Sequence, residues 1–287
     1  MTATDLHEDN RLSWNEATRA HNSHKGDQAR FFREGGSTLR PEEVDLLGNV
    51  SGLRLVHLLC NSGQDTLSLA RHGAIVTGVD ISDEAIAFAR KLSADAGIPA
   101  TFERADVFDW LDEAARQGAM YDIAYSSYGV VHWISDLDAW ASKIAAVLKP
   151  GGRFVLVDFH PIERLFDRDW NLDGGYFPSV VGRVGTIEEG VIDYVARTPG
   201  RLTPFAYEAG VTDFHNPQKC HTFRWGLGEI VTAVARAGLV LEALREYPHT
   251  IAHRFGRMRE IENYRTLPPE DVPSVPLLYG LRARKLT

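Results

Sequence analysis

Cysteine is scarce in this sequence: its 287 residues include only Cys60 and Cys220, too few for the disulfide scaffold of a small secreted protein. No apolar run approaches the roughly 18–20 residues of a membrane-spanning helix, and the first residues lack the apolar stretch of a signal peptide. Basic residues are outnumbered, with 31 Lys and Arg against 39 Asp and Glu, which disfavours nucleic acid as a partner. These absences predict a cytoplasmic globular protein that binds neither membranes nor nucleic acids.

Strand and helix patterns alternate strictly between residues 53 and 160. The first strand segment, residues 53–59, is a nearly continuous apolar run, which is typical of strands covered on both faces. Seven strands are predicted along the whole chain, at 53–59, 74–80, 100–106, 121–127, 153–159, 239–248 and 275–285. The last of them is expected to be an antiparallel edge strand. This order predicts a doubly wound, Rossmann-like α/β fold with a mostly parallel, seven-stranded sheet.

Four segments are predicted around this sheet. Residues 161–222 break the alternation, and ten of the 28 Phe, Trp and Tyr residues lie between 161 and 225, whereas structureless linkers are poor in aromatics. We therefore expect a lid inserted after the fifth strand, over the strand ends where ligands of such sheets bind. The four segments are a helical cover with a frayed start (1–40), the core (41–160), the lid (161–222) and the C-terminal completion of the sheet (223–287).

Three successive strand ends carry residues suited to an adenosine ligand. The first strand leads into a turn in which Gly63 lets a ligand approach backbone N–H groups at a helix start. The second strand ends in Asp80, whose carboxylate can accept both ribose hydroxyls. The third ends in Asp106, where a carboxylate can pair with the exocyclic amine of adenine. A dinucleotide site would need G-x-G-x-x-G, of which the turn has only Gly63, so S-adenosylmethionine is favoured over NAD.

Five segments of this chain resemble those of a known protein family. They read VHLLCNSGQDTLSLA, GAIVTGVDISDEAIAFAR, ERADVFDW, YDIAYSSYGVVHWISDLDAW and VLKPGGRFVLVDFHP. Through them the chain resembles the class I S-adenosylmethionine-dependent methyltransferases, in particular a bacterial small-molecule subgroup, over roughly residues 12–160 and 221–287. The usual first motif of that family is nearer L-D-L-G-C-G-T-G. This chain departs from it with His57 for the acid and with Leu59 and Asn61 for two of the glycines.

The resemblance implies a set of residues that bind S-adenosylmethionine and the product S-adenosylhomocysteine. Those that would line the methionine and ribose part are Cys60, Asn61 and Gly63, with Gln64, Asp65, Ser126 and Ser127 near the methionine amine. Those that would hold the nucleoside are Asp80 for the ribose, Ile81 for the adenine face, and Asp106 and Val107 for the adenine edge. Trp14 and His21 would fold over the cofactor as a cover.

The same resemblance places the substrate side near the fourth and fifth strands. Tyr128 and His132 would face the acceptor, and His132, His160 or His221 could act as general base where the acceptor must lose a proton. Each of these histidines could equally be a hydrogen-bonded structural residue. The pair His21 and His24 has helical spacing, but no third ligand accompanies it, so no metal is expected.

The implied function is methylation of a small acceptor at carbon, nitrogen or oxygen. Aromatic residues in the lid favour a planar acceptor such as an indole, and specialised metabolism is the expected setting. A homodimer is also possible, because covers and lids often pack between subunits. Two other classes stay open: an NAD-dependent oxidoreductase, and a non-catalytic protein that binds S-adenosylmethionine.

Overall fold

The computed structural model describes residues 2–177, 182–197, 207–251, 254–262 and 264–286. Parts of the predicted lid, residues 178–181 and 198–206, lie outside these ranges. The α-helices of the described chain are α1 (Ala3–Ser23), α2 (Gln28–Arg33), α3 (Pro41–Leu47), α4 (Gln64–Arg71), α5 (Asp83–Ala96), α6 (Val107–Arg116), α7 (Leu137–Val147), α8 (Tyr194–Arg197) and α9 (Leu227–Arg236). In these ranges no helix is long and apolar enough to cross a membrane.

A seven-stranded sheet forms the centre of the fold, as the sequence predicts. Its strands are β1 (Arg54–Leu58), β2 (Ile75–Asp80), β3 (Thr101–Arg104), β4 (Tyr121–Ser127), β5 (Leu148–Phe159), β8 (Leu239–Tyr247) and β12 (Leu278–Lys285). They lie in the order β3-β2-β1-β4-β5-β12-β8. The first five are mutually parallel, and β12 is antiparallel to both of its neighbours.

The predicted edge position of the last strand is wrong. β12 lies between β5 and β8, and β8 forms the edge of the sheet. The physical reason is burial: Leu278, Tyr279 and Leu281 of β12 are fully buried, whereas most residues of β8 are exposed or half-buried. The antiparallel orientation was predicted correctly, but a strand with so many buried side chains gains more from two neighbours than from one.

Alternating residues of the central strands build two separate cores. Val56 and Leu156 point to a core formed with α6, α7 and α9. Leu55 and Val155, one residue earlier in their strands, point to the opposite core with α3 and α4. Because both faces are covered by helices, the strands carry apolar residues at successive positions.

Local signals fix several helix ends. Ser82 caps α5 by accepting the N–H of Ala85 at 3.1 Å, and Gly97 ends the same helix with a left-handed φ of 69°. The prediction of a frayed N-terminus, however, is wrong. α1 begins at Ala3, because Thr2 and Asp5 form a reciprocal capping box that satisfies two backbone N–H groups.

Part of the chain outside the main sheet packs against α1. The antiparallel pair of β6 (Val184–Ile187) and β7 (Cys220–Phe223) is held by Asn10, whose side chain donates to the carbonyl of His221 at 2.9 Å and accepts its N–H at 2.6 Å. A further small sheet contains β9 (Thr250–Ile251), β10 (Arg259–Ile261) and β11 (Arg265–Leu267). The first and last parts of the chain thus meet above one end of the central sheet.

Candidate functional site

A cavity of about 250 Å³ lies at the carboxyl ends of β1 to β4, where the strands stop and the chain turns into the next helix. Its walls combine these strand ends with residues of α1 and of the segment after β5. The described residues that line it include His7, Trp14, Lys25, Thr38, Arg40, Cys60, Asn61, Gln64, Asp65, Asp80, Ile81, Asp106, Val107, Ser127, Tyr128, Trp133, Tyr194, Tyr207 and Ile251.

The turn after β1 has an unusual backbone. Leu59, Asn61 and Gly63 all have a positive φ, of 57°, 47° and 79°. Leu59 and Asn61 stand where the family's usual motif has glycine, so this chain keeps left-handed conformations there with side chains present. Gly63 cannot be replaced in the same way, because a Cβ would lie 2.7 Å from both Ala89 and the ring of Phe102.

Asp80 joins this turn to the end of β2. One carboxylate oxygen accepts the N–H of Asn61 at 2.8 Å, and the other accepts the N–H of Ser82 at 2.9 Å. Burial raises the pKa of Asp80 to about 6, against the opposing effect of these hydrogen bonds. Each oxygen keeps a further lone pair for a donor in the cavity, which is what the two hydroxyls of a ribose require.

Asp106 is held by a residue that the sequence analysis did not single out. His7 of α1 lies with Nδ1 at 2.6 Å from one carboxylate oxygen of Asp106, and its Nε2 is 2.9 Å from the hydroxyl of Ser135. Burial alone would raise the pKa of Asp106, but the hydrogen bond to His7 brings it below its ordinary value. Asp106 also accepts the N–H of Phe108 as the cap of α6.

The end of the cavity beside β4 carries charged groups of both signs. Asp65, in the first turn of α4, accepts the hydroxyls of Thr38 at 2.5 Å and of Ser127 at 3.4 Å. Lys25 and Arg40 line the same end. Burial raises the pKa of Asp65, while the charges of Arg40 and Lys25 act in the opposite direction.

Tyr128 is the residue at this end that faces both the cavity and the interior. It has a left-handed φ of 44°, and Asp158 fixes the turn that follows by accepting the N–H groups of Gly129, Val130 and Val131. Its hydroxyl donates to Glu43 at 3.0 Å. The turn thus holds one phenol between the cavity and a fully buried carboxyl group.

Of the residues predicted to bind cofactor, ten line the cavity: Trp14, Cys60, Asn61, Gln64, Asp65, Asp80, Ile81, Asp106, Val107 and Ser127. The other three support it from behind. Gly63 shapes the turn, Ser126 donates to the carbonyl of Leu58 at 3.2 Å, and His21 is buried against Trp14, with its Nε2 2.9 Å from the carbonyl of Ile192.

The three candidate histidines are not among the described lining residues, whereas the fourth candidate, Tyr128, is. His132 packs against Trp133 with ring centres 4.6 Å apart, and burial lowers its pKa to about 3. His160 accepts the N–H of Ile162 and lies 3.0 Å from Glu246. His221 lies 2.8 Å from Asp9. His160 and His221 are thus engaged with other protein groups, and His132 packs on a ring of the cavity wall.

The predicted pair His21 and His24 meets a carboxylate from the segment between β6 and β7. His24 Nε2 lies 2.9 Å from Asp193, and His21 Nε2 is 3.9 Å from the same side chain. Within the described ranges, no group of three or more His, Cys, Asp or Glu side chains is arranged to hold a metal ion. This cluster instead connects α1 to the inserted segment.

Sequence reasoning missed the lining residues that come from distant parts of the chain. These are His7, Lys25, Thr38 and Arg40 from the N-terminal segment, Trp133 after β4, Tyr194 and Tyr207 from the insertion, and Ile251 of β9. No local motif marks them. One signal was available, the enrichment of aromatics after residue 161, which includes Tyr194 and Tyr207.

Comparison with known proteins identifies the domain that builds this cavity. Residues 56–152 match the model of a family described as a methyltransferase domain. The central part of this chain is a methyltransferase domain. The match confirms the predicted methyltransferase class for residues 56–152.

Relatives and solved structures extend this result to the fold. A crystal structure of an S-adenosylmethionine-dependent methyltransferase from Mesorhizobium loti is 24% identical, with a TM-score of 0.56 over 88% of this chain and 100% of that one. An S-adenosyl-L-methionine-dependent Diels-Alderase of Talaromyces variabilis is 36% identical over 42% of this chain and 42% of that protein. A ubiquinone biosynthesis O-methyltransferase of Bradyrhizobium sp. is 32% identical over 44% of this chain and 47% of that protein. The matched region spans less than half the length of these two relatives.

Proposed function

We propose that this protein transfers a methyl group from S-adenosylmethionine to a small acceptor. The observation that carries the proposal is the convergence of Asp80, Asp106 and the turn at Gly63 on one cavity beneath Trp14 of α1. Asp80 accepts the N–H groups of Asn61 and Ser82, one on each carboxylate oxygen, which leaves acceptor capacity for a ribose. The residues present therefore fit the nucleoside of the cofactor.

The roles of the remaining cavity residues follow from their positions. Ile81 and Val107 flank the nucleoside end, next to Asp80 and Asp106 in the chain. Cys60, Asn61 and Gln64 lie on the turn that would face the sulfur, while Asp65 and Ser127 would hold the methionine ammonium. Trp14 packs on Trp133 with ring centres 5.5 Å apart, and this pair would exclude water from the reacting atoms.

Bound S-adenosylmethionine supplies a methyl group already activated on a sulfonium, so the protein's task is alignment and, for some acceptors, removal of a proton. Tyr128 is the group we assign to that proton. Its oxygen would take the proton of an acceptor hydroxyl as its own proton moves to Glu43, 3.0 Å away. Because burial raises the pKa of Glu43 to about 8, turnover is expected to increase with pH up to that value.

We propose an aromatic acceptor, with a phenolic hydroxyl as the first nucleophile to test. Support comes from the aromatic side chains of Trp14, Trp133, Tyr194 and Tyr207 on the cavity wall. The name of the O-methyltransferase relative favours oxygen, and an indole-type acceptor is the alternative. We further propose that the protein acts in specialised metabolism, is located in the cytoplasm and forms a homodimer. Sedimentation measures whether the homodimer forms.

Titration calorimetry tests the cofactor. The wild-type protein is expected to bind S-adenosylmethionine and S-adenosylhomocysteine but not NAD, and Asp80→Asn is expected to weaken both by about tenfold or more, since one charge-assisted hydrogen bond contributes about 1.5–3 kcal/mol. Asp138→Asn changes an exposed carboxylate of α7 and serves as the control. Binding of NAD alone would contradict the proposal. A panel of phenols and indoles, read by release of S-adenosylhomocysteine, then tests the acceptor, with Tyr128→Phe expected to slow turnover but not cofactor binding.

A second function is favoured by one comparison. The relative described as a Diels-Alderase depends on S-adenosyl-L-methionine, according to its name, and matches this chain at 36% identity. A protein of that kind would bind the cofactor and convert a polyene without releasing S-adenosylhomocysteine. Product mass separates the two functions, because only methyl transfer adds a carbon to the acceptor.

A further inference from the structure

We propose that Glu42 and His249 carry the acceptor's proton out of the site, so that Tyr128, Glu42 and His249 form a proton relay. This inference rests on the proposed function and adds to it two residues that are not among the described lining residues of the cavity. Glu42 lies in the first turn of α3, and His249 directly precedes β9. Neither residue touches the acceptor; both act through Tyr128.

Glu43 is enclosed on the sides away from Tyr128. Its carboxyl group contacts the hydroxyls of Tyr125 and Tyr128 and accepts the N–H of Arg40 at 2.8 Å. Both Tyr125 and Arg40 are buried. A proton that Glu43 takes up during methyl transfer must therefore return through Tyr128 before the next turnover.

The hydroxyl of Tyr128 also reaches a second carboxyl group. Its oxygen lies 3.4 Å from Oε1 of Glu42 and 3.0 Å from Oε2 of Glu43. Burial raises the pKa of Glu43 to about 8. Burial acts on Glu42 in the same direction, but His249 and Arg265 bring the pKa of that carboxyl group below its ordinary value. The phenol thus lies between a carboxyl group that holds its proton at neutral pH and an ionised one that can accept a proton.

His249 faces the same oxygen of Glu42. Its Nε2 lies 3.5 Å from Oε1, and it has no hydrogen-bond partner among the described residues. A shift of about 0.5 Å would bring the two atoms within hydrogen-bond range. The side chain of His249 is 9% exposed, against 1% for Glu42. An imidazole can take up and release a proton near neutral pH, so this ring connects the buried carboxylate to water.

The small sheet places this relay beside the cavity. In the pairing of β9 with β11, Arg265 lies opposite Ile251, and Ile251 lines the cavity. Nη1 of Arg265 is 3.8 Å from Oε2 of Glu42. The segment that forms this part of the cavity wall therefore also brings the cationic and imidazole groups to Glu42.

The proton transfers balance without a further reactant. The O–H bond of Glu43 breaks as an O–H bond forms on Tyr128, and the earlier O–H bond of Tyr128 breaks as one forms on Glu42. The proton on Glu42 then passes to Nε2 of His249. The resulting imidazolium loses a proton to water, and the carboxylates are ready for the next acceptor.

Two acceptors that differ in acidity test the relay through the rate of S-adenosylhomocysteine release. Phenol keeps its proton at about pH 8, since a phenolic hydroxyl has a pKa of about 10, whereas 4-nitrophenol is a much stronger acid and is largely ionised there. His249→Gln and Glu42→Gln are expected to lower kcat with phenol about 10-fold or more, part of the effect of a general base. The value of kcat with 4-nitrophenol and the affinity for S-adenosylhomocysteine should stay unchanged.

Controls separate this role from a structural one. His72→Gln, at an exposed position after α4, should change neither rate. Because Glu42 is buried, the melting temperature is measured for both variants, and His249→Gln alone decides if Glu42→Gln does not fold. Equal slowing with both acceptors would show that these residues only support the cavity wall, and would overturn the inference.

An unchanged kcat with phenol in His249→Gln would overturn the inference as well. Failure of the wild-type protein to methylate either compound would instead refute the phenolic acceptor of the proposed function, and the relay would then have no proton to carry.

Discussion

Glu43 is expected to reduce the stability of this protein at neutral pH. It lies in α3, fully buried, where its carboxyl group contacts the hydroxyls of Tyr125 and Tyr128 and accepts the N–H of Arg40 at 2.8 Å. Burial raises its pKa from 4.5 to about 8; the charge of Asp65 acts in the same direction and that of Arg40 opposes it. The neutral form is therefore favoured in the folded protein.

The size and sign of the effect follow from proton linkage. Above pH 4.5 the unfolded chain ionises this glutamate, while the folded protein keeps it protonated until about pH 8. Each pH unit in that interval costs about 1.4 kcal/mol of folding free energy, which amounts to about 3 kcal/mol at pH 7. Glu43→Gln keeps a side-chain acceptor but cannot ionise. The variant should be more stable by about this amount at pH 7, with the gain disappearing toward pH 4.5.

Urea unfolding at several pH values between about 4.5 and 8 measures the difference, provided that the transition is two-state. Glu34→Gln, at an exposed position paired with Arg30, is the control for loss of a surface carboxylate. A stability difference that does not change with pH would refute the reasoning, because it would mean that Glu43 is ionised in the fold and held by Arg40. The proposed proton transfer adds a second expectation: the stabilised variant should lose turnover.

Three further predictions concern the site and its supporting turn. Affinity for S-adenosylhomocysteine, measured by calorimetry, should fall below about pH 6, because protonation of Asp80 removes a ribose acceptor; a flat profile would contradict this. Gly63→Ala should lower the melting temperature well beyond Gly97→Ala, since both glycines have a positive φ but only the former would place its Cβ against Phe102; equal effects would exclude the steric cause. Burial lowers the pKa of His57 to about 3, so the free energy of unfolding should decrease as pH falls from about 6.5. Urea unfolding of His57→Gln should show a smaller decrease, and parallel pH curves for the two proteins would refute this.

Much of the fold could be predicted from the sequence because its signals are local. The ends of α5 depend on Ser82 and Gly97, which act through their own backbone neighbourhood. β4 was predicted at the residues where the structure has it, Tyr121–Ser127, from the alternation of strand and helix patterns. The strand-end residue Asp80 could be placed beside the turn because parallel strands end at one edge of the sheet.

Tertiary structure alone decided what surrounds the cavity at the ends of β1 to β4. Lys25, Arg40 and Ile251 meet at one cavity although up to 226 positions separate them in the chain, and no short-range pattern encodes such a meeting. The same holds for β12, whose place between β5 and β8 depends on how much surface its neighbours bury. Sequence by itself determined the elements and the residues at their ends, because hydrogen bonds and apolar periodicity act over a few residues. The structure decided which distant charges face the cavity, because burial and electrostatics depend on the whole packed chain.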